Sequence, residues 1–399
     1  MMASVNHTPV AVIGAGPAGL MLSHLLHQRG VDSVVFEARS RETVEATVRA
    51  GVLEQGTMRL MRETGLGERM DREADIDEAI DISVDGRRIR IELTELTGYN
   101  MAVYPQHEVL IDLIAQREKD NGTVLFNTRV DDVTGYDDDI VTVSYTGPDG
   151  AHETLTCDYV VVADGSASLW RGPVTEVAGG ARYRHEYPYA WFGILVNAPQ
   201  TQKELIYANH DDGFALISTR SETVQRYYLQ CDPEDTVEMW SDDRIWQALH
   251  TRVDSDGLTV SGGEIFDKAV LRFRSAVTAP MQRGRLFLAG DAAHTVPPTG
   301  AKGLNLAVAD VVALVPGLVH ALDGDDRRLQ GYTELALPRV WKAQHFSFWM
   351  SSMLHHSSKA SPFEAQRRKA ELSAVLGSEA GRRFLAQQYV GADLPDFRI

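Results

Sequence analysis

Cysteine is nearly absent: Cys157 and Cys231 are the only two in 399 residues. Two thiols make neither a disulfide framework nor a four-ligand zinc site, and they read as small buried hydrophobes. Basic residues are also scarce. There are 39 Lys and Arg against 56 Asp and Glu, for a formal charge of −17. So acidic a chain suits neither nucleic acid nor an anionic membrane surface. The stretch Met1 to Pro9 lacks the basic-then-apolar pattern of an export signal. The most apolar long run, 304–322, contains Asn305, Asp310, Pro316 and His320, so it reads as a buried helix and not a membrane span. A cytoplasmic location is expected. No internal repeat, heptad series or low-complexity tract is visible. The pair His355-His356 has no Cys or acidic set near it in sequence, so it reads as a solvated helix end, and no metal is expected.

What is present is ordinary globular material, 44% hydrophobic and 24% charged. Val10 to Ile13 is a short β-branched run, Gly14 to Gly19 punctuates it, Leu20 to Gln28 has helical spacing, and Val34 to Phe36 is a second strand ending at Glu37. That order is a βαβ unit with parallel strands. Residues 81–93 alternate polar and apolar, as in half-buried antiparallel strands, and His107 to Glu118 reads as a helix. Short strands follow at Val124 to Phe126, Val141 to Tyr145 and Thr154-Leu155. Tyr159 to Ala163 is apolar throughout, as a strand covered on both faces should be. Aromatic and β-branched strands then dominate Tyr187 to Val270: Trp191 to Val196, Glu204 to Ala208, Phe214 to Ser218 and Arg226 to Gln230. From Leu304 the pattern is helical almost to the end. The expected fold is α/β, α+β overall. A Rossmann-like βαβ domain is expected at 1–180, with inserted strands near 78–105 serving the substrate side, then a mostly antiparallel sheet domain at 181–280, and at 281–399 the Gly290-Asp291 motif with a C-terminal helical interface region.

Three motifs carry chemistry. In Gly14-Ala15-Gly16-Pro17-Ala18-Gly19 the glycines permit a tight turn, close backbone approach to a pyrophosphate and helix–strand packing, and the helix end offers positive charge. Glu37, 18 residues beyond Gly19, sits where a carboxylate can accept ribose hydroxyls. The run Leu286 to Ala289 leads directly into Gly290-Asp291, and Tyr159 to Ala163 leads into Asp164-Gly165. Both place an acid at a strand's carboxyl end, where open α/β sheets bind ligands. Each alone is an ordinary Gly/Asp turn; the three together point to a dinucleotide.

In order and approximate spacing these motifs resemble those of the single-component flavoprotein aromatic hydroxylases. The stretches Arg49 to Gly56, Leu205 to His210, Pro297 to Asn305 and Gln388 to Gly391 are similar to the branch of that family acting on 4-hydroxybenzoate. The likeness spans essentially the whole chain. It implies FAD as cofactor with 1–180 as the FAD-binding domain, NAD(P)H and O2 as co-substrates, conversion of 4-hydroxybenzoate to 3,4-dihydroxybenzoate in aromatic catabolism, and a homodimer. The substrate is hydroxylated ortho to its phenol and must be electron-rich, so the site has to favour the phenolate over a phenol that titrates near ~10 in water. The resemblance assigns Tyr207 to the substrate oxygen with Tyr389 behind it, and the Pro298 carbonyl nearby. Arg220, Ser218 and Tyr228 are assigned to the carboxylate, which suits the paired N–H groups of a guanidinium. Gly14, Gly16, Gly19, Glu37, Arg49, Gln106, Asp164, Asp291, Gly300, Lys302, Leu304 and Asn305 are assigned to FAD, with the amides at the helix start and Lys302 stabilising negative charge on reduced flavin.

The chain also departs from the family pattern. The relay that ends in histidine in other members meets Asp77 here, and the nicotinamide-contacting histidine is Ala167. Arg171 and Arg274 are the remaining positions assigned to the nicotinamide cofactor. Arg39 and Arg41 favour a 2′-phosphate, while Glu42 and Glu45 oppose it, so NADPH is expected and NADH is the alternative. The competing readings are a hydroxylase of 4-aminobenzoate or dihydroxybenzoates, and a flavin-dependent reductase with an apolar tunnel. Trp341, His345, Phe346, Phe348 and Trp349 share helical spacing and are expected in the core or at a dimer contact.

Overall fold

The computed structural model describes residues 6–49, 51–255, 257–357 and 360–395. A parallel sheet forms its first layer. In spatial order its strands are Leu286–Leu288, His152–Val162, His7–Ile13, Ser33–Phe36 and Thr123–Leu125. Their carboxyl ends lie on one edge. Gly14, Glu37, Asp164 and Asp291, which follow four of these strands, therefore gather around one crevice. The helices Pro17–His27 and Gly303–Leu322 pack on the sheet. Residues 303–322 are apolar and long enough to cross a membrane by composition, but 83% of the most apolar window is buried against protein. It is a core helix.

The sequence suggests separate strands at 154–155 and 159–163. The structure has one, His152–Val162. Its first half pairs antiparallel with Val141–Thr146 and is half exposed, while its second half lies between two parallel neighbours and is buried on both faces. One strand thus carries two patterns because its neighbours change along its length.

The second sheet runs His294–Thr295, Glu264–Ala279, Ala181–Asn197, Val224–Cys231, Ala215–Thr219, Ile206–Asn209, Ala79–Val84 and Arg87–Glu92. Ala79–Val84 and Arg87–Glu92 form a hairpin whose turn residues Asp85 and Gly86 have φ of 47° and 80°. Two left-handed central residues make this a type I′ turn, whose twist matches that of the flanking strands, so a two-residue loop closes the hairpin without splaying it. A small third sheet pairs Met101–Val103 with Val52–Leu53 and with Asp75–Asp77.

Alternation within the second sheet sorts its residues. Ile206, Ala208, Ile217, Tyr227 and Leu229 face one way, onto the helix Asp242–Val253, which the sequence reading does not anticipate. Trp191, Tyr207, Leu216, Ser218 and Tyr228 face the other way, toward the helices Tyr332–Leu354 and Glu379–Val390. That second face carries the polar groups of interest.

Candidate active site

The crevice at the parallel strand ends is a cavity of about 750 Å³. Gly14 has φ of 107°, and a Cβ on it would lie 2.4 Å from the Ala163 carbonyl oxygen. A Cβ on Gly19 would lie 1.9 Å from the Gly14 carbonyl, so strand, turn and helix touch only because both residues are glycine. Gly16 opens onto the cavity. The helix Pro17–His27 has no capping side chain and no acid in its first turn, which leaves its amide end free for an anion. Glu37 accepts from the Ala15 amide at 3.0 Å and braces the loop. Asp164, Asp291, Arg49, Gln106 and Leu304 also line the cavity. Arg49 and Gln106 are brought there by the third sheet: a Cβ on Gly51 would lie 2.0 Å from the Tyr104 carbonyl. At the cavity's inner end the helix Gly303–Leu322 starts without a capping side chain. The cradle fits a dinucleotide: glycines where backbone must approach, two open helix ends, and acids at the strand ends.

Asp310, inside that apolar helix, explains the Gly290 turn. Its Oδ2 accepts from the Gly290 amide at 2.8 Å and lies 2.6 Å from His294 Nε2, with both side chains buried. The charge of Asp310 raises the His294 pKa against the opposing cost of burial. The signal was present in the sequence as a lone acid in an apolar run.

On the second sheet, cross-strand register sets Tyr207 beside Leu216 and Leu216 beside Tyr228. A Cβ on Gly193 would come within 2.9 Å of the Tyr228 ring, so glycine makes room for it. The Arg220 Nη1 donates to Ser218 Oγ at 2.6 Å and to the Thr219 carbonyl at 3.0 Å, while the buried Nε–H has no acceptor. No carboxylate pairs with Arg220 among the described residues, and burial lowers its pKa. A buried guanidinium with open donors is incomplete without an anion. His107 stands near enough to feel its charge, and burial keeps that imidazole's pKa low.

The Tyr207 and Tyr389 hydroxyls are 2.7 Å apart, and both side chains are buried. Burial pushes both phenols upward, so they stay neutral and can pass a proton without holding charge. Asp77 lies close enough for its charge to act on both. Its side chain is 1% exposed, and neither carboxylate oxygen has a hydrogen-bond partner. Burial first, then the charges of Glu204 and Asp75, push its pKa up to about 8.

Several expected residues have other tasks. Pro298's carbonyl accepts the turn bond from Ala301 N–H at 2.9 Å, and it is the Thr299 carbonyl that Tyr207 O–H approaches, at 3.3 Å. Lys302 does not face the cavity. Its ammonium donates to Glu54 at 2.6 Å and to the Tyr389 carbonyl at 2.7 Å, so a buried carboxylate cancels its charge. The Asn305 side chain ties the helix start to the Glu54 amide and the Val52 carbonyl. A Cβ on Gly300 would meet the Phe346 ring at 3.0 Å, so this glycine serves packing. Arg171 is buried and gives four hydrogen bonds to the carbonyls of Gly165, Ser168, Asp291 and Ala292; it staples the two acid-bearing loops together and offers nothing to a nicotinamide. Arg39 pairs with Glu37 at 2.8 Å, and Arg41 pairs with Glu45 at 2.7 Å and with Glu118, so neither is free for a phosphate. Arg274 donates to Ser166 Oγ at 2.8 Å on the cavity rim.

The expected solvated end at His355 is wrong. This imidazole is buried, donates from Nδ1 to the Ser351 carbonyl at 2.8 Å, and accepts at Nε2 from Trp191 at 2.7 Å. It thereby fixes Trp191, whose ring lies 4.6 Å from that of Tyr228. Within the aromatic stripe Phe346 is buried, whereas Trp341 and Phe348 each remain 44% exposed. Among the described residues no group of His, Cys and acids has the arrangement of a metal site.

Comparison with known proteins gives a consistent picture. The profile of the family described as FAD binding domain matches residues 7–347. The p-hydroxybenzoate hydroxylase of Acinetobacter baylyi is 40% identical over 394 residues, covering 96% of this chain and 95% of its own. Aklavinone 12-hydroxylase of Streptomyces purpurascens is 30% identical, over 80% of this chain and 63% of its own. Among solved structures, p-nitrophenol 4-monooxygenase from Pseudomonas putida superposes with a TM-score of 0.81 at 20% identity, covering 97% of this chain and 99% of its own.

Proposed function

Because the chain belongs to the FAD binding domain family and is an FAD-dependent aromatic hydroxylase, we propose that it converts 4-hydroxybenzoate to 3,4-dihydroxybenzoate with O2 and a reduced nicotinamide. The observation that carries this is the pairing of two incomplete sites on one sheet face. Arg220 is a buried cation without an anion, and the Tyr207–Tyr389 pair is a buried phenol chain next to an unpartnered acid. A ligand with a carboxylate at one end and a phenol at the other completes both.

On this reading Arg220 takes the carboxylate, with hydroxyls from Ser218 and Tyr228. Tyr207 accepts the substrate's phenolic proton as its own passes to Tyr389, and Asp77 is the acceptor at the end of the chain. Deprotonation makes the ring a better nucleophile at the carbon to be oxygenated. FAD, when bound, would supply the redox chemistry, reduction by the nicotinamide and activation of O2, one atom of which enters the ring while the other leaves as water. Gly14, Gly16, Glu37, Arg49, Gln106, Asp164 and Asp291 would hold it, and the uncapped amides that open the helix Gly303–Leu322 would stabilise negative charge on its reduced form. Lys302 contributes no net charge there while Glu54 pairs with it. Residues 1–180 form the FAD-binding domain, with the inserted strands near 78–105 on the substrate side, 181–280 the substrate sheet, and 281–399 the Gly290-Asp291 motif and the helical interface region, which also supplies Tyr389. The exposed rings of Trp341 and Phe348 suit a homodimer contact. NADPH remains the expected reductant, but its phosphate is not read by Arg39 or Arg41.

The test is turnover of the FAD-loaded protein with 4-hydroxybenzoate, following NAD(P)H oxidation and identifying the product chromatographically. Stoichiometric 3,4-dihydroxybenzoate is expected. Oxidation without a hydroxylated product, or faster turnover with 4-aminobenzoate or a dihydroxybenzoate, overturns the substrate assignment.

A further inference from the structure

In a chain of net charge −17, most arginines near a carboxylate are paired with it. Three that cluster beside Ser166, a residue of the cavity mouth, are not. Arg182 and Arg184 are two residues apart on the strand Ala181–Asn197, so they project from the same face. Register places Arg182 opposite Thr278, Arg184 opposite Ala276 and Glu186 opposite Arg274, which puts Arg274 on that face as well. Arg274 reaches Ser166, and Ser166 lines the cavity mouth. Among the described residues none of the three forms an ion pair with a carboxylate. The Arg182 Nε–H is buried with no acceptor. Burial, then the charges of Arg184 and Arg274, lower the Arg182 pKa, so these cations lie within reach of one another's field. The guanidinium of Arg171 adds to it from below, although its donors are spent on carbonyls. The acids nearby are Glu186 on the same face and Asp164 and Asp291 inside the cavity. Clustered, uncompensated guanidinium groups at the mouth of a redox-cofactor cavity ask for a polyanion.

The geometry points to Arg182 and Arg184, with Arg274, as the phosphate subsite for the nicotinamide dinucleotide. This deepens the reading of the chain as a nicotinamide-dependent hydroxylase and supplies the cations that Arg39 and Arg41 do not. The phosphate has two sources in such a ligand, the pyrophosphate common to NADPH and NADH and the 2′-phosphate of NADPH alone.

The test is binding of NADP+ and of NAD+ to the FAD-loaded protein by isothermal titration calorimetry, for wild type, Arg182→Gln/Arg184→Gln, Arg184→Gln alone and Arg41→Gln. The double variant is expected to weaken NADP+ at least tenfold, and Arg184→Gln, an exposed position, severalfold. An equal loss for NAD+ assigns the pyrophosphate; an NAD+ affinity left intact assigns the 2′-phosphate. Arg41→Gln is expected to stay within twofold for both. Affinities within twofold of wild type in the double variant, or a loss seen only in Arg41→Gln, overturn the proposal. Because binding is read without turnover, a failure to hydroxylate 4-hydroxybenzoate would sink the substrate assignment and leave this result interpretable.

Discussion

Replacing Asp77 by Asn tests the proton route at its least conventional point. The substitution keeps the shape of the side chain and removes its ability to take a proton. The wild-type carboxyl is pushed up to about 8 by burial and by Glu204 and Asp75, against an ordinary value of ~3.9. Roughly four decades separate the two, at ~1.4 kcal/mol each, so holding the anion in this pocket above pH 8 costs about 5–6 kcal/mol. The folded state keeps a proton that the unfolded state releases above pH ~4. This acid therefore lowers stability progressively as pH rises from about 4 to about 8, and no further beyond. Asn carries no such slope. After a penalty of ~1–3 kcal/mol for burying an unpartnered amide, Asp77→Asn should be about 3 kcal/mol more stable than wild type at pH 9 and no more stable than it at pH 5. Urea unfolding at both pH values reads this directly.

Function should move the opposite way. Stopped-flow absorbance of bound 4-hydroxybenzoate reports its ionisation, which in wild type should rise with a midpoint near 8, the value at which Asp77 becomes an acceptor. In Asp77→Asn the deprotonation rate at pH 8 should fall by about tenfold, the low end of general-base effects, because water replaces the lost acceptor in part. An unchanged midpoint and rate, together with a wild-type stability slope between pH 5 and 9, would show that Asp77 is neither shifted nor in the route.

Arg220→Gln should weaken 4-hydroxybenzoate binding by about 3 kcal/mol, roughly a hundredfold, with little change for a neutral phenol; equal losses for both ligands, in titrations followed by the flavin spectrum, would remove the carboxylate assignment. Gly14→Ala places a methyl carbon 2.4 Å from the Ala163 carbonyl and should yield protein without bound FAD; a normal flavin content on purification refutes the close-approach argument. Asp310→Ala leaves His294 and the Gly290 amide without their buried acceptor and should cost about 3–5 kcal/mol, more below pH 6, where His294 must bury a charge unpaired, as measured by denaturant unfolding.

The parts of this molecule that were legible in sequence are those fixed by short-range rules. A glycine turn between a β-branched run and a helix has few structural solutions, and the apolar runs at 159–163 and 286–289 place the acids that follow them at strand ends; that Tyr207, Ser218 and Tyr228 share one face needed the cross-strand register. The roles of the charged side chains were not legible, because partners far along the chain decide them. Arg41 is neutralised by Glu118, 77 residues away, and Lys302 by Glu54, 248 residues away. His355 is claimed by Trp191 across 164 residues. Arg182 and Arg184 were visible as alternating arginines, but a strand read as beginning at Trp191 left them outside the sheet, where their shared face has no meaning.

Pairing also separates structural charges from functional ones. An ion buried beside its counter-ion has its desolvation cost offset locally, and Lys302–Glu54 and His294–Asp310 need nothing from a ligand. Arg220 and Asp77 are buried without a counter-ion or a full set of hydrogen bonds, and the fold carries that cost in the absence of ligand. Such a cost persists only where something else removes it: a carboxylate for the cation, a proton for the acid. Above pH about 8, where Asp77 gives up its proton, the two groups are opposite in sign, and the sheet face that carries Tyr207 and the Arg220 clamp brings one ligand to both. A carboxylate relieves Arg220 on binding, and a phenol supplies through the tyrosines the proton that relieves Asp77. The overall −17 does not oppose this, since it is distributed over solvated acids, while a low-dielectric site is governed by the few charges left unpaired within it.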